Sequence, residues 1–331
     1  MSHEILEIAG KYQFAYTGAP GWHGLGNPLP LNASIEEWAH ASGLSFEVMQ
    51  SPMYYRPACD APADGAPKPA ARKVPGKVAQ YHSVTGAFLG TVSDGYVTHQ
   101  PREMLELFET WVKAGGCTLE TAGVLLGGSV YFALARIGED IYIDGQNGRD
   151  GVAPYIYLST SCNGTRATTT ILTPIRVVCK NTDSAAMNGA QGQTRDSQSH
   201  RAEFDPSQAR AYIENANKAF GAYIETARRL ADVRVNAERA EELTAKLLGA
   251  ADIEAAASKR AYGAILELFN GAGAGSTLDT ANGTAWGWYN ACTDYTDHKV
   301  RATSDDARHL SAQSGAGARF KARAFELATS I

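Results

Sequence analysis

Few residues in this 331-residue chain combine types and spacings that could do covalent chemistry. Asp294 and His298 are four apart in a helical stretch, so both face the same way and could supply two metal ligands. A zinc or iron site needs at least one more, and His309 is the only neighbour in sequence that offers it; an Asp–His pair on a helix surface is the plainer reading. Ser199-His200 sits beside Arg195 and Arg201, but a nucleophilic serine needs a third orienting group and an oxyanion site, and nothing local provides them. Trp22-His23, between glycines, reads as a packing corner. Cys179 lies in an apolar strand and should be inert, and Cys162, near a turn, is expected at the surface. No Walker loop, zinc-protease helix or paired acidic motif is present, so an enzyme has little local support and no catalytic or metal-ligating residue is assigned.

Binding chemistry is better represented. From Gly151 to Arg201 the cations Arg166, Arg176, Lys180, Arg195 and Arg201 outnumber the acids Asp183 and Asp196. Tyr155, Tyr157 and a run of threonines lie among them. Cations position a phosphate backbone, and aromatic rings stack on single-stranded bases. An ordinary core hairpin with solvated arginines is the competing interpretation.

The elements that must position these residues follow from local pattern. Tyr155–Ser161 and Arg166–Cys179 read as two strands joined by a tight Asn163-Gly164 turn, since Asn-Gly tolerates the positive φ of a two-residue hairpin loop. Ser34 as cap, Glu36 and Glu37 in the first turn, Trp38 as anchor and Gly43 as terminator predict a short helix. Leu44–Met53 reads as a strand. Residues 57–75 form a Pro/Ala/Gly loop carrying Arg72 and Lys73, with Lys77 just beyond, so that the strands on either side make an arm with a basic tip. Val78–Val84 and Phe88–Val92 follow as a hairpin, Pro101–Ala114 as an amphipathic helix, and 118–126 and 129–137 as further strands. A helix start is expected at Thr182–Asn188. After a polar link the pattern becomes helical: Asp205-Pro206 opens one helix to about Leu248, then come Ala255–Phe269, Ala285–His298 and Ala316–Leu327. The expectation is an α+β fold, an antiparallel sheet with helices on one face (1–188), followed by a mostly helical region (205–331).

Composition narrows the class. A net charge of −5 and a pI near 5.9 argue against a polycation that coats nucleic acid, although not against a local basic groove. No apolar run approaches the roughly 18 residues of a membrane span, and the N-terminus lacks a signal-peptide pattern. Five widely spaced cysteines without a Cys-x-x-Cys pair fit reduced, cytoplasmic thiols.

Several segments in order resemble the phage/plasmid-like protein family, a domain of unknown function of temperate phages and plasmids. They are Trp22–Gly26, Ala41–Val48, Leu89–Tyr96, Ile175–Thr182, Gly283–Trp286 and Tyr295–His298. The chain departs from that pattern at Ser199-His200-Arg201, where members carry His-Thr after the Arg-Val-Val-Cys motif. The resemblance implies a mobile-element setting in a bacterial host cytoplasm. The element order is also coarsely similar to RecT, Redβ and Erf-type annealing proteins, which form rings or filaments around single-stranded DNA. That analogy implies a homo-oligomer that binds and anneals single strands in recombination, with no cofactor and no covalent chemistry. Arg166, Arg176 and Lys180 would contact phosphates, with Lys73 and Lys77 as a second layer. A mobile-element effector that binds a host or defence protein, and a metal-dependent nucleic-acid-processing enzyme, are the alternatives.

Overall fold

Strands whose side chains alternate between a packed and a less packed face, and helices with side-chain caps, make this an α+β protein. The computed structural model describes residues 6–18, 25–57, 70–113, 117–139, 141–145, 148–176, 195–303, 307–308, 311–312 and 315–331. The strands are β1 (Glu7–Ile8), β2 (Lys11–Tyr12), β3 (Phe14–Thr17), β4 (Asn27–Leu29), β5 (Val48–Tyr55), β6 (Arg72–His82), β7 (Phe88–Ser93), β8 (Thr118–Leu125), β9 (Val130–Arg136), β10 (Ile141–Gly145), β11 (Gly148–Ser161), β12 (Thr168–Arg176) and β13 (Arg195–Gln198). The helices are α1 (Ile35–Ser42), α2 (Pro101–Lys113), α3 (Pro206–Asp232), α4 (Ala237–Leu247), α5 (Ile253–Ala257), α6 (Arg260–Glu267), α7 (Ala285–Asp294) and α8 (Ala316–Thr329).

The main sheet runs β13-β12-β11-β9-β8-β3-β4, with β10 also on β11, and every pairing except β3–β4 is antiparallel. Ile156 and Leu158 on β11, with Leu172 on β12, join Ala133, Ala135 and Val124 in the principal core. Helices α1, α2 and α3 pack against this side. The opposite face carries a smaller cluster of Phe14, Leu125, Val130, Phe132, Tyr157 and Ile171. A separate three-stranded sheet, β5-β6-β7, lies beside the main one.

The expected hairpin is present, but its turn is longer than a two-residue loop: β11 ends at Ser161 and β12 begins at Thr168. Gly164 has φ +77°, whereas Asn163 stays out of the left-handed region. Side chains explain the difference. Asn163 Oδ1 accepts the Thr165 N–H (3.1 Å) and Ser161 Oγ accepts the Arg166 N–H (2.9 Å), so the loop is closed by polar side chains rather than by paired backbone.

Residues 72–75, expected in a loop, belong to β6, and the single helix expected from 206 to about 248 is broken. Val233–Asn236 is extended: Val235 N–H bonds to Gly283 O (2.9 Å), Ala285 N–H to Val233 O (2.8 Å), and Asn236 caps α4 through the Arg239 N–H. The helix expected over Ala285–His298 loosens into a π-turn at Tyr295–Lys299. The helix start expected at Thr182–Asn188 lies outside the described residues. Among those described, no helix is long and apolar enough to cross a membrane.

The C-terminal helices are tied to the sheet by a buried carboxylate. Asp150 on β11 accepts the Trp286 indole N–H (2.8 Å) and the Thr280 hydroxyl (3.4 Å). Trp286, Tyr223, Tyr289 and Phe325 then pack, mostly edge-on or tilted, in one aromatic group within the principal core.

Candidate nucleic-acid interface

Eight of the nine residues expected to touch nucleic acid belong to the described residues, and they fall in three places. Tyr155, Tyr157 and Arg166 belong to the β11–β12 hairpin. The Tyr155 hydroxyl donates to Glu120 Oε2 (2.8 Å), and Glu120 also faces Arg136 at 3.9 Å. Tyr157 is buried against Phe132, so its ring packs on the sheet rather than standing open for a base. Burial pushes its phenol upward, opposed by the nearby Arg166 charge. Arg166 is half-buried, and its carbonyl oxygen accepts the Ser161 hydroxyl (3.1 Å). Arg176 closes β12 opposite Val152, and Arg195 opens the edge strand β13 opposite Ile171. The side chains of Arg176 and Arg195, and all of Lys180, lie outside the described residues.

His200 anchors the second place. One ring nitrogen lies 3.0 Å from Val97 O and the other 3.1 Å from Arg166 O; its ring stacks on Tyr96 at 4.5 Å. His99, at 4.4 Å, bonds Thr168 and the Ala202 carbonyl. This is a structural knot joining the hairpin to the 96–100 segment, with Arg201 exposed beside it. Cys162, expected at the surface, is instead fully buried, and burial pushes its thiol up to about 12, which leaves it inert.

Lys73 and Lys77 make the third place. Both are exposed on β6. Beside them are Arg72, a third cation of the expected basic arm, and three residues not singled out from the sequence: Arg56, Tyr54 (61 % exposed) and Tyr55 (49 % exposed). Tyr54 pairs with Lys73 and Tyr55 with Arg72 in the β5–β6 register, which places each ring beside a cation. Among the described residues from Val48 to Ser93 there is no carboxylate; Glu47 and Asp94 flank the sheet. In the sequence the same stretch also holds Asp60 and Asp64, which lie outside the described residues.

The inner face of this small sheet is fixed by packing. His82 stacks on Phe46 at 4.0 Å, Gln80 Nε2 donates to the Thr98 hydroxyl (2.8 Å), and Val48 N–H is capped by Gln100 Oε1 (2.9 Å). Gly90 lies so close to Asn163 that an added Cβ would sit 2.5 Å from its Cβ, which seats β7 on the hairpin loop.

His82 Nδ1 accepts the Val84 and Thr85 N–H groups (3.2 and 3.3 Å), which requires an unprotonated nitrogen and closes the β6–β7 turn. Burial holds the His82 pKa below its usual value; burial and the neighbouring His99 do the same to His200. The unfolded chain therefore takes up these protons first. Their contribution to stability is complete above the unfolded value of about 6.5 and is lost as pH falls through the lower folded values. Thermal melts should show the melting temperature dropping between about pH 7 and pH 5, with a shallower drop in His82→Asn.

Asp294 is buried and accepts the Ala274 N–H (3.4 Å); burial pushes its carboxyl upward, and His298 partly opposes this. Asp297 turns instead to Lys321, with Nζ 2.9 Å from Oδ1. No group of three or more potential metal-binding side chains occurs among the described residues, while His309 and Trp22-His23 lie outside them.

Comparison with protein families finds a match over residues 88–316, more than half of the chain, to the family described as Domain of unknown function (DUF932). The chain belongs to the DUF932 family. The DUF932 segment starts at Phe88, the first residue of β7, and takes in the hairpin, the His200 knot and α3–α7. Strands β5 and β6, which carry Lys73 and Lys77, precede it. No curated protein and no solved structure matches the chain.

Proposed function

We propose that this DUF932 protein binds single-stranded DNA and promotes its annealing as a homo-oligomer, a ring or filament, in the recombination of a phage or plasmid. It would work in the cytoplasm of a bacterial host, without covalent chemistry. The observation that supports strand binding is the β5-β6-β7 sheet. Lys73 and Lys77 are exposed there, with Arg56, Arg72, Tyr54 and Tyr55 around them and no described carboxylate between Val48 and Ser93. In a chain of net charge −5, a sheet whose described charged side chains are all positive concentrates attraction for a polyanion. The mobile-element and annealing parts of the reading rest on the resemblance to phage/plasmid-like proteins and, by fold analogy, to RecT-type proteins.

Relative to the hairpin first expected to carry the phosphates, the centre of the proposed site moves to the small sheet. Tyr157 is buried and Tyr155 is bonded to Glu120, so the hairpin offers neither ring freely to a base; Lys73 and Lys77, both exposed and on the sheet that carries the exposed Tyr54 and Tyr55, are therefore taken as the leading phosphate contacts. Fluorescence anisotropy with a labelled oligonucleotide tests this. The double charge reversal Lys73→Glu/Lys77→Glu should weaken binding about tenfold or more at low salt and leave the circular dichroism unchanged, because both side chains are exposed. Equal affinity in the variant and the native protein would refute the assignment.

A further inference from the structure

The outer face of the small sheet has a second property beyond charge. Directly opposed residues on neighbouring strands point to the same side, and the register aligns Met49, Tyr81 and Phe88 across all three strands. Met49 is 39 % exposed, Phe88 is 64 % exposed and Tyr81 is half-buried. A bulge in the β6–β7 pairing produces this row. Gln80 opposes Gly90 but Tyr81 opposes Phe88, so Leu89 is the extra residue. Leu89 is buried and Phe88 stands out, the reverse of what strict alternation from Val92 would give. The next row on the same face is Ser51, Ala79 and Thr91, all small, and beyond it Lys77 opposes Ser93. At about 3.3 Å per residue, Lys77 stands roughly 13 Å along β6 from Tyr81, on the same side.

We infer that this face recognises the bases of a single strand as well as its phosphates: bases stack on the Tyr81–Phe88 rings over the small-residue floor while Lys77 holds the backbone. The inference rests on the strand-binding reading above and names the chemical class of its ligand, unpaired nucleic acid with accessible base faces. Charge is what commits the face to a nucleic acid. Between Val48 and Ser93 the described part of the sheet carries cations only, with the exposed Glu47 at its margin beside Ser83, and this excess suits a polyanion and opposes a second copy of the same sheet. Aromatic rings add nothing to binding a duplex, whose base faces are already stacked, but add affinity for each unpaired base.

The experiment uses the full chain and three probes of matched phosphate number: a thymidine oligonucleotide, its abasic analogue, and a duplex. The thymidine strand should bind about tenfold or more tightly than the abasic strand. Phe88→Ala should remove most of that preference while leaving abasic binding unchanged, and Phe88→Trp should restore it. Because Phe88 is mostly exposed, truncating it leaves the core intact, and a thermal melt of each variant verifies that. Equal, salt-sensitive binding of the thymidine and abasic strands would overturn base stacking but leave the charge reading standing. Absence of binding to all three probes would overturn both. A Phe88→Ala protein with native affinity for thymidine but a smaller oligomeric state would reassign the face to self-association and overturn the inference.

Discussion

Gly287→Ala is expected to cost about 3 kcal/mol or more and to loosen the C-terminal helices as a unit. An added Cβ would lie 1.7 Å from the Ala281 carbonyl oxygen and 2.6 Å from its carbon, and no flexible side chain is there to yield. The obstructing turn is held in place: Ala281 and Asn282 N–H groups both bond to Leu278 O, at 2.8 and 2.7 Å. Moving it would pull Thr284 from its cap on the Gly287 N–H and disturb Thr280 and Trp286, which meet Asp150 on the sheet. Gly263→Ala supplies the contrast. That glycine is exposed within α6 with open space around its Cβ position, so the substitution should stabilise by up to about 1 kcal/mol. Denaturant midpoints of the two variants should move in opposite directions.

Lys321→Ala is expected to destabilise by about 3–5 kcal/mol. The lysine side chain has no exposed surface, and its partner Asp297 is 8 % exposed. Removing the cation leaves a mostly buried carboxylate without its lysine, and the loss comes from that poorly solvated charge more than from the attraction itself. The double substitution Asp297→Leu/Lys321→Met removes both charges and should therefore recover a large part of the loss. A single Lys321→Ala protein as stable as the native one in urea melts would show that the pair is solvated. The pair closes α8 onto the π-turn after α7, so Lys321 acts as a structural cation and is not available for a polyanion.

Local signals predicted local structure well. Ser34 caps α1 as expected, Glu37 in the first turn completes a reciprocal capping box with it, and Gly43 ends α1 at φ +75°. Asp205 caps α3 ahead of Pro206 as expected. Signals that depend on distant partners were not legible. Nothing near Val233 shows that the helix must break there, because the strand-like bonds that break it come from Gly283 and Ala285. Tyr157 alternates correctly, but its burial depends on Phe132 and the cluster on that face. Burial of Cys162 depends on the β8–β9 connection, where its thiol meets Ser129 O at 3.5 Å.

The candidate site shows the same division. Lys73 and Lys77 were visible as cations near a hairpin, but a Pro/Gly-rich neighbourhood made them look like loop residues. In the structure β6 carries them as part of a sheet. Phe88 could not be placed on the outer face from sequence, since a one-residue bulge reverses every side chain beyond it. Between Val48 and Ser93 the sequence holds a modest excess of cations, among them Arg56, Arg72, Lys73 and Lys77, over Asp60 and Asp64, and the absence of carboxylates among the described residues of that stretch carries most of the functional reading.

The most direct test of that reading is the salt dependence of oligonucleotide binding by the native chain and by Lys73→Glu/Lys77→Glu. Each phosphate contact on a single strand contributes about −0.7 to the slope of log affinity against log salt. The account predicts a steep negative slope for the native protein and one shallower by about 1.4 in the variant. A flat dependence, or the same slope in both proteins, would contradict it.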